Sequence, residues 1–320
     1  METSKKEEGK TLQNKIDFAV IFSVNGANPN GDPLNGNRPR VNYDGMGEVS
    51  DVCIKRKIRN RLMEAGGDIF VQSDDNRKDG DEYKSLRSRA EGELKSKPVD
   101  QKAYREEACK KWIDVRAFGQ VFAYKAKKSE KPKKGKEAEK EQEEKADDAG
   151  VSIGIRGPVS VHSAFSVAMA SVSSIQITKS VSGEGDGAKK ASDTMGMKHR
   201  VDHGLYVSYG AINPQLSSKT WFDDKDAEAI KNALEHLFDN DASSARPEGS
   251  MEIVGVVWWE HNHKSGQYSS AVVHRALTVK PKEGISEPKT IYDYEYKVSK
   301  LDGLTPDILD PNKFGLIKMA

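Results

Sequence analysis

Residues 16–24, with the sequence IDFAVIFSV, carry large apolar side chains at every second position. A period of two places those side chains on one face of a β-strand, and their size predicts that this face is buried in a sheet. The pattern therefore favours a layered fold that is built on a sheet. The alternating residues are Ile16, Phe18, Val20, Phe22 and Val24.

This strand is followed by a long loop rich in asparagine, glycine and proline, which runs from Asn25 to about Gly47. Asparagine and glycine offer amide and backbone groups to a ligand with little steric bulk. Loops of more than about 15 residues without regular structure are usually functional or disordered. A simple string of turns is the alternative, because Asn-Gly and Gly-Asp-Pro are turn formers.

A strongly basic helix is predicted to start near Ser50, with five basic residues and one acidic residue in residues 51–61. Its N-terminal dipole and its cations would meet at the end of the loop, an arrangement that suits a polyanion. We interpret loop and helix together as a site for a nucleic-acid backbone, with an ordinary solvated helix as the alternative. Lys55, Arg56 and Arg59 would project together on one flank.

Other cationic residues are further candidate contacts. Arg38 and Arg40 add positive charge to the loop. Arg116 and Arg156 each lie beside glycine or aromatic residues, where a buried or partner-facing arginine is the alternative to RNA contact. The KHR sequence that begins at Lys198 is either a set of surface charges or an arm that grips a strand.

Whole-chain composition does not decide the question, because the formal net charge of the 320-residue chain is only +1. The two cysteines, Cys53 and Cys109, form no CxxC pair, which argues against a disulfide framework or a structural zinc site and favours a reducing compartment. The N-terminus lacks an apolar signal segment, and no apolar run approaches the length of a membrane span. We therefore expect a cytoplasmic protein with no membrane partner.

Catalytic and metal-binding signals are weak. The EHNH segment at residues 260–263 has metal-ligand spacing, but its histidines have no acidic or cysteine partner in register. We expect them at the surface and predict no metal and no cofactor. Asp32 and Asp44 in the first loop could position an RNA 2′-hydroxyl for cleavage, although aspartate is also an ordinary turn residue.

The order of predicted elements indicates an α+β fold in which helices back an antiparallel sheet. A ferredoxin-like, RRM-like core with long insertions accommodates this order. Residues 127–148 hold eight lysines and eight acidic residues and are predicted to be a disordered insertion. The other predicted elements are a strand at 68–72, helices at 81–113 (broken near Pro98, with Asp100 as a cap) and 225–238, a long hairpin at 171–208, and strands at 251–259, 271–279 and 291–298.

Five sequence blocks, in order along the chain, carry a resemblance to a known family. The blocks are NPNGDPLNGNRPR, GEVSDVCIKRKIRN, DVRAFGQVF, IRGPVSVHSAFS and MGMKHRVDHGLYVSYGAINPQ. With these blocks the chain resembles the CRISPR-associated RAMP backbone subunits of Cascade in the type I-C form (the Cas-seven family, Csd-type), from about residue 16 to residue 300.

Residues 1–14 are polar and are predicted to be a flexible tail. The resemblance implies a single modified RRM-like domain at 15–320. This domain would comprise a palm, a finger insertion at about 68–150 and a β-hairpin thumb at about 171–208. Several copies would stack helically along one guide RNA (crRNA) and grip its backbone without reading its sequence. The implied partners are crRNA, target DNA through the guide, further copies of the chain, and the large, small and guide-processing cap subunits of Cascade. The subunit itself would not be an enzyme.

Carried onto this chain, the resemblance implies a set of RNA-binding residues that includes Met195 as a wedge in the hairpin. Two alternatives stay open, namely an endoribonuclease that cuts RNA with Asp32 or Asp44, and a structural scaffold that binds no nucleic acid. The RNA-binding set is Asn25, Asn28, Asn30, Arg38, Arg40, Lys55, Arg56, Arg59, Arg116, Arg156, Ser160, His162, Met195, Lys198 and His199.

Overall fold

The computed structural model describes residues 10–73, 77, 80–124, 151–178 and 195–320. The expectations made for the first nine residues, for the charged segment 127–148 and for the tip of the predicted hairpin therefore lie outside the described residues. None of the described helices is long and apolar enough to cross a membrane.

Four strands are followed by four helices in the first part of the described chain, and strands dominate the rest. The helices are α1 (Asp51–Glu64), α2 (Leu86–Glu93), α3 (Gln101–Lys111), α4 (Ile113–Phe118), α5 (Pro214–Thr220), α6 (Asp224–Glu235) and α7 (Ser270–Ala276). The strands are β1 (Ile16–Ala27), β2 (Gly31–Asp32), β3 (Arg38–Pro39), β4 (Met46–Val49), β5 (Gly119–Tyr124), β6 (Val151–Arg156), β7 (Val159–Val161), β8 (Ala164–Met169), β9 (Val172–Thr178), β10 (Met195–Ile212), β11 (Met251–Glu260), β12 (Leu277–Pro281), β13 (Tyr294–Val298), β14 (Asp307–Leu309) and β15 (Lys318–Met319).

The main sheet is antiparallel and has the order β14-β11-β1-β10-β8-β4, with β7 and β9 paired to other stretches of β10. Strand β1 lies at its centre, where Ile16 is opposite Ile212 of β10 on one side and Glu260 of β11 on the other. A second sheet has the order β12-β13-β15. Helices back the main sheet, so the predicted α+β class with a large antiparallel sheet is confirmed.

Strand β1 is buried on both of its faces. On one face, Phe18 belongs to a hydrophobic cluster with Ile58 of α1 and Leu234 of α6. On the other face, Ile21 belongs to a second cluster with Val273 of α7 and residues of the second sheet. The prediction of one buried face was therefore incomplete, because α7 and the second sheet cover the face that the sequence pattern left exposed.

A third hydrophobic cluster joins helices α2 to α4 to the hairpin formed by β5 and β6. Its rings pack closely, since the centroid of Phe70 lies 4.6 Å from that of Trp112 and 5.1 Å from that of Phe122. Tyr124, at the end of β5, is opposite Val151, at the start of β6. The segment that connects β5 to β6 therefore begins and ends at the same end of this strand pair.

Asp114 in α4 ties the third cluster to α1. Its carboxylate is 1% exposed, accepts the N–H groups of Phe70 at 2.8 Å and Val71 at 3.1 Å, and pairs with Arg59 Nε at 3.0 Å. Because those backbone donors are committed to a side chain, the predicted strand at 68–72 does not form.

The helix boundaries follow the predicted capping residues. The Ser50 hydroxyl accepts the Cys53 N–H at 3.3 Å and starts α1, and the Asp100 carboxylate accepts the Ala103 N–H at 3.0 Å and starts α3. Side-chain oxygens in this position satisfy N–H groups that have no partner within the helix. The residues of α1 that are buried as predicted are Ile54, Ile58 and Leu62.

Two expectations about local structure were wrong. Helix α7 occupies the start of the strand predicted at 271–279; its buried residues Val273 and Ala276 are three apart, which is the spacing of a helical face. Leu12, in the predicted flexible tail, is buried, and its N–H donates to the Phe222 carbonyl at 3.0 Å. This residue therefore belongs to the packed fold.

Replacing the carboxylate at the centre of these contacts tests its structural role. Asp114→Ala leaves the Arg59 guanidinium and two backbone N–H groups without their partner. We expect the free energy of unfolding to fall by about 3–5 kcal/mol, measured by urea denaturation. The control is Glu106→Ala, which removes the exposed Glu106–Lys110 pair and should cost at most about 0.5 kcal/mol. Equal stability of the two variants would contradict the role of Asp114.

Candidate nucleic-acid interface

Asparagine side chains fold the loop after β1 back onto the start of α1. Asn30 Oδ1 accepts the Ser50 N–H at 2.9 Å, and the Asn30 carbonyl accepts the Arg40 N–H at 3.0 Å. Asn28 is buried and its Nδ2 donates to the Asn37 carbonyl at 2.7 Å. The loop is thus ordered by its own amides, which disfavours direct contact of RNA with the side chain of Asn28.

A tight turn inside this loop uses Asp32 as a cap. The Asp32 carboxylate accepts the Leu34 N–H at 3.2 Å and lies 3.6 Å from Arg40 Nη2. Gly36 follows with a φ of 58°, in the left-handed region that glycine adopts without strain. The Asp44 side chain is exposed. Both aspartates therefore occupy turns, and Asp32 already has two partners.

Cations reach the surface both on the loop, which folds back onto the start of α1, and on α1 itself. Arg38 on β3 is exposed and has no carboxylate partner among the described residues. Arg56 is exposed, and Lys55 is half-buried and pairs with Asp51 at 2.9 Å. We call the surface formed by residues 25–56 the loop–helix face.

Two other cations of α1 point into the protein. Arg59 pairs with Asp114 and lies 5.1 Å from the centre of the Phe118 ring. Lys57 is buried and pairs with Asp241, and burial lowers the pKa of its ammonium group. Arg59 was predicted to contact RNA, but its guanidinium is committed to an internal carboxylate in this structure.

The exposed end of β1 is held by a histidine that the sequence did not indicate. Asn25 is directly opposite His203 of β10, and Asn25 Oδ1 lies 2.7 Å from His203 Nδ1. His203 Nε2 lies 3.5 Å from the Tyr294 hydroxyl. Burial lowers the pKa of His203. Only the register between β1 and β10 brings this pair together, so no local motif could have shown it.

The predicted residues of the hairpin all lie on β10, in the stretch that pairs with β9. Met195 is opposite Thr178 and is 63% exposed, whereas Lys198 is half-buried. His199 is buried, and its Nδ1 lies 2.8 Å from the hydroxyl of Ser174. Direct contact of RNA with the side chain of His199 is therefore disfavoured.

The remaining predicted residues lie on elements outside the loop–helix face, namely on α4, on β6, and on or just after β7. Arg116 makes two 2.7 Å bonds to the Asp226 carboxylate, and so links α4 to α6. Arg156 is exposed on β6. Ser160 and His162 are exposed on and just after β7, where the Ser160 hydroxyl donates to a backbone carbonyl at 3.3 Å.

The EHNH segment matches the expectation of surface histidines at His263, which is exposed, but not at His261. His261 is fully buried, and its Nε2 donates to the buried Asp17 carboxylate at 2.9 Å, while Lys15 Nζ pairs with the same carboxylate at 2.9 Å. Asp17 and His261 lie on adjacent strands, which the sequence interpretation did not pair. Among the described residues, no group of three or more acidic, histidine or cysteine side chains could hold a metal ion.

Comparison with known proteins gives a match over most of the chain. The family model described as CRISPR-associated protein Cas7 matches residues 14–299. A CRISPR-associated protein Cas7 from Haloferax volcanii is 37% identical over 68 residues, which are 21% of this chain and 20% of that relative. The aligned part therefore spans only about a fifth of the relative's length.

Two solved structures show a weaker similarity. One, a chain of a CRISPR RNA-guided surveillance complex in a pre-nicking state, is 14% identical with a TM-score of 0.46 over 96% of both chains. The other, from a CRISPR RNA-guided surveillance complex, is 14% identical with a TM-score of 0.41 over 96% of this chain and 94% of that chain. TM-scores this low do not establish a common fold. The assignment of the chain to a family therefore rests on the match to the family model.

Two half-buried histidines predict how stability depends on pH. Burial lowers the pKa of both His203 and His274. Below about pH 6.5 these histidines bind protons more readily in the unfolded chain than in the folded chain. The free energy of unfolding therefore falls as the pH decreases. We expect the Tm to decrease between pH 7.5 and 5.5, and His203→Gln with His274→Gln to flatten this slope.

The matched control is His263→Gln, at an exposed position of the same chain. This variant should keep the wild-type dependence of Tm on pH. A double variant with an unchanged slope would show that His203 and His274 are not the titrating groups.

Proposed function

Because this chain belongs to the CRISPR-associated protein Cas7 family, we propose that it is a non-catalytic subunit that binds a guide RNA through the RNA backbone. The observation that carries the proposal is the loop–helix face. There, exposed Arg38 and Arg56 and the half-buried Lys55 accompany the N-terminus of a 14-residue helix. Cations and helix N-terminal N–H groups bind phosphates without reading sequence.

The predicted contact residues divide into two roles under this proposal. Residues with side chains at the surface contact RNA directly: Asn25, Arg38, Arg40, Lys55, Arg56, Arg156, Ser160, His162, Met195 and Lys198. Residues with internal partners position the others: Asn28 and Asn30 order the loop, Arg59 and Arg116 fix α1 and α4, and His199 fixes the hairpin.

The finer parts of the proposal concern assembly. Strands β9 and β10 form an extension of the main sheet that would act as the thumb, and the third hydrophobic cluster would belong to the finger. We propose that copies of the chain stack along one crRNA in a type I-C Cascade. Further partners would be the large, small and cap subunits, and target DNA would pair with the guide. A prokaryotic cytoplasm is the expected location.

Charge reversal on the loop–helix face tests the proposal. Arg38→Glu, Lys55→Glu and Arg56→Glu together should abolish tight binding of single-stranded RNA. The slope of log K against log salt should fall by about 2 for three lost phosphate contacts on a single strand. Fluorescence anisotropy with a 30-nucleotide RNA at several salt concentrations measures both quantities.

The control variant carries Lys102→Glu, Lys225→Glu and Lys300→Glu, which make the same change in net charge at exposed positions elsewhere. It should bind RNA with nearly the wild-type slope. Equal loss in both triple variants would mean that binding follows overall charge, and equal binding in both would remove the loop–helix face from the proposal and favour a scaffold.

The endoribonuclease alternative is tested with the loop aspartates. Since Asp32 already caps a turn and pairs with Arg40, we expect no cleavage of a labelled RNA by the wild-type protein in Mg²⁺. Cleavage by the wild type that disappears in Asp32→Ala or Asp44→Ala, with RNA binding retained, would establish the alternative.

A further inference from the structure

A cleft lies on the second face of the main sheet, and of its lining residues only His162 belongs to the contacts of the proposed function. Its volume is ≈ 640 Å³, and it lies between β8 and β10 on one side and α7 and β12 on the other. This volume is in the range of ligand pockets, about 300–1,000 Å³. We call it the ring cleft, because its lining includes the aromatic side chains of His162, Phe165, Tyr209 and His274.

The rings form a platform that is already assembled. Tyr209 and His274 stack with centroids 4.9 Å apart and an angle of 27° between their planes. His162 meets His274 edge to face at 5.7 Å. Phe165 remains 43% exposed beside them. Preformed flat surfaces of this kind suit a planar ligand, since little side-chain freedom is lost on binding.

The backbone and a buried carboxylate fix the orientation of His274. Its Nε2 lies 3.1 Å from the Gly210 carbonyl and 3.6 Å from the Asp17 carboxylate. A carbonyl only accepts, so the proton resides on Nε2, and Nδ1 of the neutral ring is an acceptor. Burial lowers the pKa of His274, which favours this neutral form. The neutral ring therefore adds an aromatic face to the platform without adding charge.

The charge of the cleft suits a phosphate. Arg275 is exposed at the cleft and has no carboxylate partner among the described residues, and no acidic side chain is found among the described residues that line it. The lining also includes Ser163, whose hydroxyl accepts the Asp51 N–H at 3.3 Å. One edge of the cleft thus adjoins the first turn of α1, and with it the loop–helix face.

We propose that the ring cleft binds one unpaired nucleobase of a single-stranded RNA, with Arg275 at the neighbouring phosphate. The inference rests on the proposed function, because the loop–helix face supplies the bound strand. Every base presents a π-face, so stacking in the cleft is compatible with any sequence. The ligand class is a nucleoside monophosphate unit within the strand that crosses the start of α1.

Photo-crosslinking identifies the occupant of the cleft directly. The full chain is bound to a 30-nucleotide single-stranded RNA that carries 4-thiouridine at defined positions, irradiated and digested, and the adducts are mapped by mass spectrometry. We expect adducts in the peptides that contain Tyr209 or His274. The variant with Arg38→Glu, Lys55→Glu and Arg56→Glu should lose these adducts together with RNA binding.

Paired substitutions separate stacking from folding. Tyr209→Leu removes the platform ring and should weaken RNA binding by about 5- to 150-fold for each base that stacks, while Tyr209→Phe keeps the ring and should bind like the wild type. Arg275→Glu should weaken binding, and Arg275→Lys should restore it in part. Tyr292→Leu, at a 57% exposed ring outside the cleft, is the matched control and should have no effect.

The outcomes distinguish this inference from the proposed function. If the wild type binds RNA but adducts map only outside the cleft, and Tyr209→Leu behaves like Tyr292→Leu, the cleft proposal is overturned and the proposed function stands. If the wild type binds no RNA, the proposed function is overturned and the cleft proposal with it. If Arg275→Glu changes the mass of the RNA-free protein and leaves RNA binding intact, the cleft holds another copy of the chain, which also overturns the proposal.

Discussion

The burial of β1 on both faces is the constraint on which the rest of the structure depends. A strand with no solvent-exposed face must pair on both edges, here with β10 and β11, and must be covered by two layers. One layer, α1 with α6, brings the most basic helix next to the loop that leaves the strand. The other layer, α7 with the second sheet, forms one wall of the ring cleft. Both candidate surfaces therefore follow from the way in which one strand is covered.

Internal ion pairs determine which cationic side chains are available to bind a ligand. Arg59 and Arg116 are held by Asp114 and Asp226, and Lys57 is held by an aspartate after α6. Breaking a buried pair is costly, although such pairs add little stability compared with apolar packing. Their consequence here is geometric, because they fix α1 and α4 relative to α6. A count of basic residues in α1 therefore overestimates the charge that can meet a phosphate backbone.

Features encoded within a few residues were predictable from the sequence. The cap at Ser50, the cap at Asp100 and the alternation in β1 depend on neighbours along the chain, and each was located correctly. Features that depend on pairing between distant strands were not. No local pattern predicted the contact of His261 with Asp17 or that of His203 with Asn25, because both contacts require the register of the sheet.

The same distinction explains the errors in secondary structure. The segment AVVHRA before β12 carries β-branched residues that favour a strand, but its burial follows the helical spacing of Val273 and Ala276. At residues 68–72 a distant carboxylate, Asp114, takes the backbone donors that a strand would have used. Of the candidate site, the loop and the cations of α1 were predictable. The division into exposed and internal cations was not, because it depends on carboxylates that are far away in the sequence.

Strand β10 has a mechanical consequence. It runs without interruption from Met195 to Ile212, so the central sheet and the projecting hairpin share one backbone. Residues 195–200 extend past the last pairing with β1, a length of about 20 Å at the usual rise of a strand. Residues 195–200 therefore continue the backbone of the central sheet without a break in the strand. The Asn25–His203 pair lies two residues from the last pairing with β1, so a force on residues 195–200 would be transmitted to the start of the loop.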